Sequence, residues 1–182
     1  METQAIVLDK HSDLKTLKWV AKARAKGMSM RNLDWLCVVQ DFICATDGHR
    51  LHLAFNNDEI PPGLYEVEKI TLKRATLIRQ GEAAYPDFWR VIPLRRKKRC
   101  KVFTVGGDGP YFPQSLYQVY LKTGSCYNPD YVKDAFSGMA GPVNVEAHDQ
   151  KGFGKRYGLT RLLVLIDYPI ERVAVIMPMT LW

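Results

Sequence analysis

The chain has 182 residues, 47% hydrophobic and 25% charged, and a formal net charge of +7 at pH 7. That balance suffices to bury the core of one domain or two small ones, and it excludes global disorder. No apolar run approaches the ~20 residues of a membrane helix. The start, METQAIVLDK, shows no signal-peptide pattern, and Cys37, Cys44, Cys100 and Cys126 contain no CxxC pair, so a cytoplasmic protein with reduced thiols and no membrane partner is expected.

Residues 4–9 (QAIVLD) read as a short strand and 12–26 as a helix, with Ser12 or Asp13 placed to cap its first turn. At 100° per residue, Leu14, Leu17, Val20, Ala21 and Ala25 share one face. Lys15, Lys18, Lys22 and Lys26 form a stripe beside it, and no acidic residue lies between Asp13 and Asp34 to neutralise them. The stripe is either a solvated face or a set of lysines for a phosphate backbone, where each contact releases condensed counterions.

Segments 33–40 and 42–46 read as strands, Asp47-Gly48 as a turn, and 51–55 as the return strand. A loop containing Pro61 and Pro62 follows, then a hairpin over 64–70 and 73–78. Residues 85–93 (YPDFWRVIP), bracketed by prolines, are expected to run extended. Arg95, Arg96, Lys97, Lys98 and Arg99 are the densest charge run, either a solvated loop or a nucleic-acid patch. Residues 106–113 (GGDGPYFP) are turn-rich but lack the Gly-Lys-Ser/Thr and helix of a phosphate-binding loop.

A strand is expected near 117–122, then a helix over 129–139 capped by Asn128, with Pro129 at its first position, where a missing N–H costs nothing. Strands over 143–148, 162–167 and 172–178 complete the chain, with a Gly-rich turn at 151–158. Each half reads strand–helix–strands. The pattern indicates an α+β protein with antiparallel sheets and helices gathered on one side.

Catalysis finds little support. Cys44, Asp47 and His49 flank a turn, with nothing that guarantees the accessible, electropositive setting a thiolate needs. His49 and His52, three apart on an expected strand, point to opposite faces and have no companion cluster. No enzyme activity, metal or cofactor is expected. The sequence reads as a binder.

Three segments carry a resemblance: ATDGHRL at 45–51, YPDFWRVIP at 85–93 and VIMPMTL at 175–181, together with NPDYVKDA at 128–135. Each is similar to a signature of the bacterial DNA polymerase III sliding clamp (beta subunit) family, and the first three occur in that family's order. The resemblance implies a DNA-clamp-like fold, with residues 1–93 as a first clamp-like half with connector and 94–182 as a second half ending in the MPM strand.

It also implies a hydrophobic groove for short linear peptides of DNA polymerases, clamp loaders and repair proteins. Thr46, Gly48, His49, Arg50, Leu51, Pro86, Arg90, Val91, Val175, Met177, Pro178 and Met179 would line it. The family's habit of pointing basic helices at duplex DNA favours DNA contact by the lysine stripe, in the manner of a processivity factor.

Two departures stand out. Thr180 replaces the basic residue common after MPM, and Trp182 adds apolar surface. The length suggests about half of a family subunit, so the chain is either one clamp-like domain of two halves or a joining of half-domains that keeps the groove. A closed ring would need several copies. Two other readings stay open: a monomeric adaptor or decoy that captures replication proteins without encircling DNA, and a basic nucleic-acid binder acting through the lysine stripe and the 95–99 run.

Overall fold

A computed structural model describes residues 5–27, 31–81, 83–93, 100–106, 112–139, 142–149, 161–166 and 172–179. They fall into two units, Met1–Asp87 and Phe88–Trp182. No helix among the described residues is long and apolar enough to cross a membrane.

The first unit comprises β1 (Ala5–Leu8), α1 (Leu14–Ala21), β2 (Leu36–Val39), β3 (Phe42–Thr46), β4 (Arg50–Phe55), β5 (Gly63–Ile70) and β6 (Ala75–Arg79). Its strands pair antiparallel in the order β1-β6-β5-β2-β3-β4. Helix α1 packs on β3, β4 and β5. The Asp13 carboxylate caps it by accepting the Thr16 N–H at 3.1 Å, satisfying an amide that has no partner within the helix. Leu14, Leu17, Trp19 and Val20 are buried beneath it, each such side chain contributing about 1.5–3 kcal/mol of transfer free energy.

Helix α1 stops at Ala21, short of the expected residue 26. Beyond it the chain tightens, with the N–H groups of Ala23 and Arg24 donating to Val20 O (3.1 Å) and Ala21 O (3.3 Å), and then turns to partners outside the helix. The Arg24 guanidinium donates to the carbonyls of Ala21 (3.2 Å) and Asp34 (3.0 Å), and the Ala25 N–H donates to Leu33 O at 2.9 Å. Burial holds the Arg24 pKa below its ordinary value, with Asp34 and Tyr85 partly offsetting this.

The second unit begins with a 3-10 turn (Phe88–Val91) and continues with β7 (Cys100–Gly106), α2 (Phe112–Thr123), α3 (Pro129–Phe136), β8 (Pro142–Asp149), β9 (Arg161–Ile166) and β10 (Arg172–Ile176). Its sheet runs β10-β9-β8-β7, again antiparallel. Helix α2 packs on β7 and α3, and α3 packs on β10. The Asn128 side chain caps α3 by accepting the Asp130 N–H at 2.9 Å, with Pro129 in the first turn as expected. Strand β9 is buried over five of its six residues, which explains why RLLVLI shows no polar alternation.

Three expectations are corrected here. The segment 117–122 is not a strand but lies inside α2. Its buried residues Ser115, Val119 and Thr123 recur every fourth position, and two of them are hydroxyl-bearing, so the helical period is hidden from a hydrophobicity pattern. Thr123 Oγ1 donates to Val119 O at 2.8 Å, and Gly124, at φ +67°, closes the helix with its N–H on Tyr120 O at 2.8 Å. The proline-bracketed 85–93 segment is not wholly extended, because Phe88–Val91 forms the 3-10 turn. Strand β7 lies between the basic run and the Gly-rich segment, where no strand was expected.

Candidate functional site

The ATDGHRL turn in the first unit is built from short polar ties. Gly48 adopts φ +90°, a left-handed conformation that a side chain would strain. The Asp47 carboxylate accepts the N–H groups of His49 (2.9 Å) and Arg50 (3.0 Å) and pairs with Arg50 Nε at 3.1 Å. Thr46 Oγ1 donates to Arg50 O at 2.6 Å and accepts the Gly48 N–H at 3.0 Å. Arg50 Nη2 reaches Lys22 O, at the end of α1, at 2.6 Å.

Arg50 is therefore buried and committed to holding the turn, rather than offered to a groove. Thr46 and Leu51 are buried as well, while Gly48 and His49 are exposed.

The YPDF segment is fastened to the same unit at its start. Asn32 Nδ2 donates to Ala84 O at 3.1 Å. The Tyr85 phenol lies among Cys37, Cys44 and Arg24 beside the Thr46 backbone, and burial pushes its pKa far up. Burial likewise pushes the Cys44 thiol well above its ordinary value. Pro86, next in the chain, is half-buried.

In the second unit Arg90 and Val91 are exposed on the 3-10 turn. Val175 is buried within β10, and past Ile176 the chain changes character: Met177 and Met179 are 41% and 45% exposed, with Pro178 between them half-buried. The Met179 N–H donates to Cys126 O at 2.8 Å, pinning the MPM segment beside the start of α3. Cys126 also lines an open depression of about 290 Å³, whose other walls are Leu116, Tyr117, Tyr120, Ser125 and Tyr127. Tyr117 and Tyr120 are well exposed. This depression escapes a sequence reading because α2, which supplies the aromatics, reads as a strand.

Of the residues read as phosphate-facing, Lys15 and Lys18 are exposed on α1. Lys22 is half-buried at the helix end and Lys26 is exposed beyond it, so the four do not make one helical stripe. Arg95, Arg96, Lys97, Lys98 and Arg99 lie outside the described residues, as do Thr180, Trp182 and the 151–158 turn.

No protein-family model and no curated protein matches the sequence. Solved structures do match. The DNA polymerase III beta subunit of Thermotoga maritima aligns with 100% of this chain at a TM-score of 0.60 and 17% identity. The beta sliding clamp of C. crescentus aligns with 98% at 0.61 and 16% identity, and the beta subunit of Streptococcus pyogenes with 100% at 0.59 and 12%. The fold is clamp-like. The chain spans about two thirds of each relative, 67%, 65% and 68% of their lengths, rather than the half that its residue count suggests.

Proposed function

We propose that this chain is a non-enzymatic, clamp-like binding protein of the cytoplasm. It takes short linear peptides of replication or repair proteins and contacts duplex DNA without reading sequence, as a processivity factor. The observation that carries the reading is the MPM segment. Two methionines emerge exposed after the three buried residues that end β10, and the segment is held by a main-chain hydrogen bond beside an aromatic depression. Methionine side chains adapt to varied apolar partners, and an aromatic-lined concavity suits an anchoring hydrophobic residue.

In the first unit His49, on a turn held by Asp47 and Arg50, offers a polar contact together with Gly48 and Pro86, and in the second Arg90 and Val91 offer exposed contacts of their own. Buried Thr46, Arg50 and Leu51 belong to the framework of the His49 turn, and Val175 to the buried part of β10. Exposed Lys15 and Lys18 on α1 support the DNA contact. Ring formation around DNA would be homo-oligomeric.

A fluorescent peptide carrying a polymerase clamp-binding sequence tests the reading directly by polarisation. Saturable binding that weakens about tenfold or more in both Met179→Ala and His49→Ala is expected. Absence of saturable binding, or indifference to both substitutions, overturns it. Light scattering separates a multimer from a monomeric adaptor.

A further inference from the structure

Strand pairing assembles a second cluster, away from the motifs, in the four-stranded sheet of the second unit. Glu146 and His148 stand two apart on β8 and so share a face. Cys100, the first residue of β7, is the direct cross-strand partner of His148 and joins that face. One donor atom from each of the three lies within 4.8 Å of the other two. Glu146 Oε2 is 2.9 Å and Cys100 Sγ 3.6 Å from the same ring nitrogen, His148 Nε2.

The chemistry of that shared nitrogen is the crux. Nε2 holds one proton or one lone pair, yet it faces both a carboxylate and a thiol. His148 is 2% exposed and its other nitrogen, Nδ1, has no hydrogen-bond partner, so the polar reach of the ring is aimed wholly into the cluster. This is not a nucleophile–base–orienter triad, which needs the cysteine and the carboxylate on opposite ring nitrogens.

A divalent ion at the common vertex answers all three groups. A tetrahedral zinc ion with N and S ligands at its usual bond lengths separates them by about 3.6 Å. The Glu146 oxygen, 2.9 Å from Nε2, has to move outward to reach a similar spacing. Charge also balances: one thiolate and one carboxylate against a doubly positive ion leave a buried site neutral.

We propose that Cys100, Glu146 and His148 form a zinc-class metal site. Binding converts the Cys100 thiol to a thiolate and releases its proton to solvent. Imidazole, thiolate and carboxylate together suit zinc, whereas magnesium and calcium take oxygen ligands. The fourth position goes to water or an external ligand, since the described residues place three such donors here. Cys100 is the half-exposed member, so the ion enters from its side, and the bound metal clips edge strand β7 to β8.

The full chain, stripped with EDTA, is titrated with zinc chloride against a chromogenic chelator and then with cobalt chloride for its spectrum. One equivalent of zinc, a raised Tm and a thiolate-to-cobalt charge-transfer band are expected. Cys100→Ser abolishes the band and weakens zinc more than about 100-fold, because even outer-shell partners cost 10–100-fold. His148→Gln weakens it similarly, and Cys126→Ser leaves both readouts unchanged. Cys100→Ser alters a half-exposed edge residue, so it remains decisive if His148→Gln fails to fold. Absence of a zinc equivalent above the chelator, or binding that survives Cys100→Ser, overturns the proposal.

Discussion

The imidazole of His52 lies flat on the indole of Trp19, with ring centroids 4.3 Å apart and planes 13° from parallel. Its Nδ1 sits 2.8 Å from Trp19 O, and since a carbonyl only accepts, Nδ1 carries the proton. The pair fastens α1 to β4, which starts at the turn bearing His49. Trp19→Ala is expected to cost about 3–5 kcal/mol in urea denaturation. Peptide affinity falls with it only when α1 detaches.

The turn separates framework from contact surface. Arg50→Ala takes the guanidinium from Asp47, which keeps its two backbone N–H donors, and from Lys22 O at the end of α1, costing about 3 kcal/mol. Gly48→Ala, at φ +90°, costs about 1 kcal/mol through backbone strain. His49→Ala, at an exposed position, shifts stability by no more than about 0.5 kcal/mol while weakening the peptide. Parallel denaturation and polarisation curves for the three variants check the division.

Alkali tests Tyr127. Burial is the main cause of its phenol being pushed up to about 12, and the hydroxyl donates to Arg161 O at 2.8 Å. The unfolded phenol ionises near 10, so the stabilisation is complete below that pH and is lost as pH rises towards 12, where the unfolded chain binds fewer protons. The loss amounts to about 2–3 kcal/mol. Tyr127→Phe removes this part of the alkaline slope and costs about 1 kcal/mol at neutral pH. Stability measured at stepped pH shows whether the slope changes.

Salt reports on DNA. If Lys15 and Lys18 touch phosphates, Lys15→Ala with Lys18→Ala lowers the slope of log K against log salt by about 1.8, near 0.9 per contact. An unchanged slope removes α1 from the DNA surface. Exposed Lys26 serves as a comparison position off the helix.

Much of the fold was legible because local chemistry and tertiary structure agree. Asn128-Pro129 announces α3, Asp47-Gly48 the β3–β4 connection, and the β-branched runs the strands. Helix α2 was not legible, because its buried stripe is largely hydroxyls and its exposed face carries Tyr117, Tyr120 and Leu121. Arg50 read as a groove-lining residue, since sequence does not reveal that a guanidinium is already taken by Asp47 and Lys22 O. Cys100 and His148 are 48 positions apart, so only strand register brings them face to face.

The strap that fastens the chain's last described residue is made of main chain, Met179 N–H on Cys126 O. Its strength is therefore indifferent to what position 179 displays. Drift at that tip can change the apolar surface on display without unfastening the segment, and among the natural amino acids only proline, with no amide hydrogen to give, would unhook it.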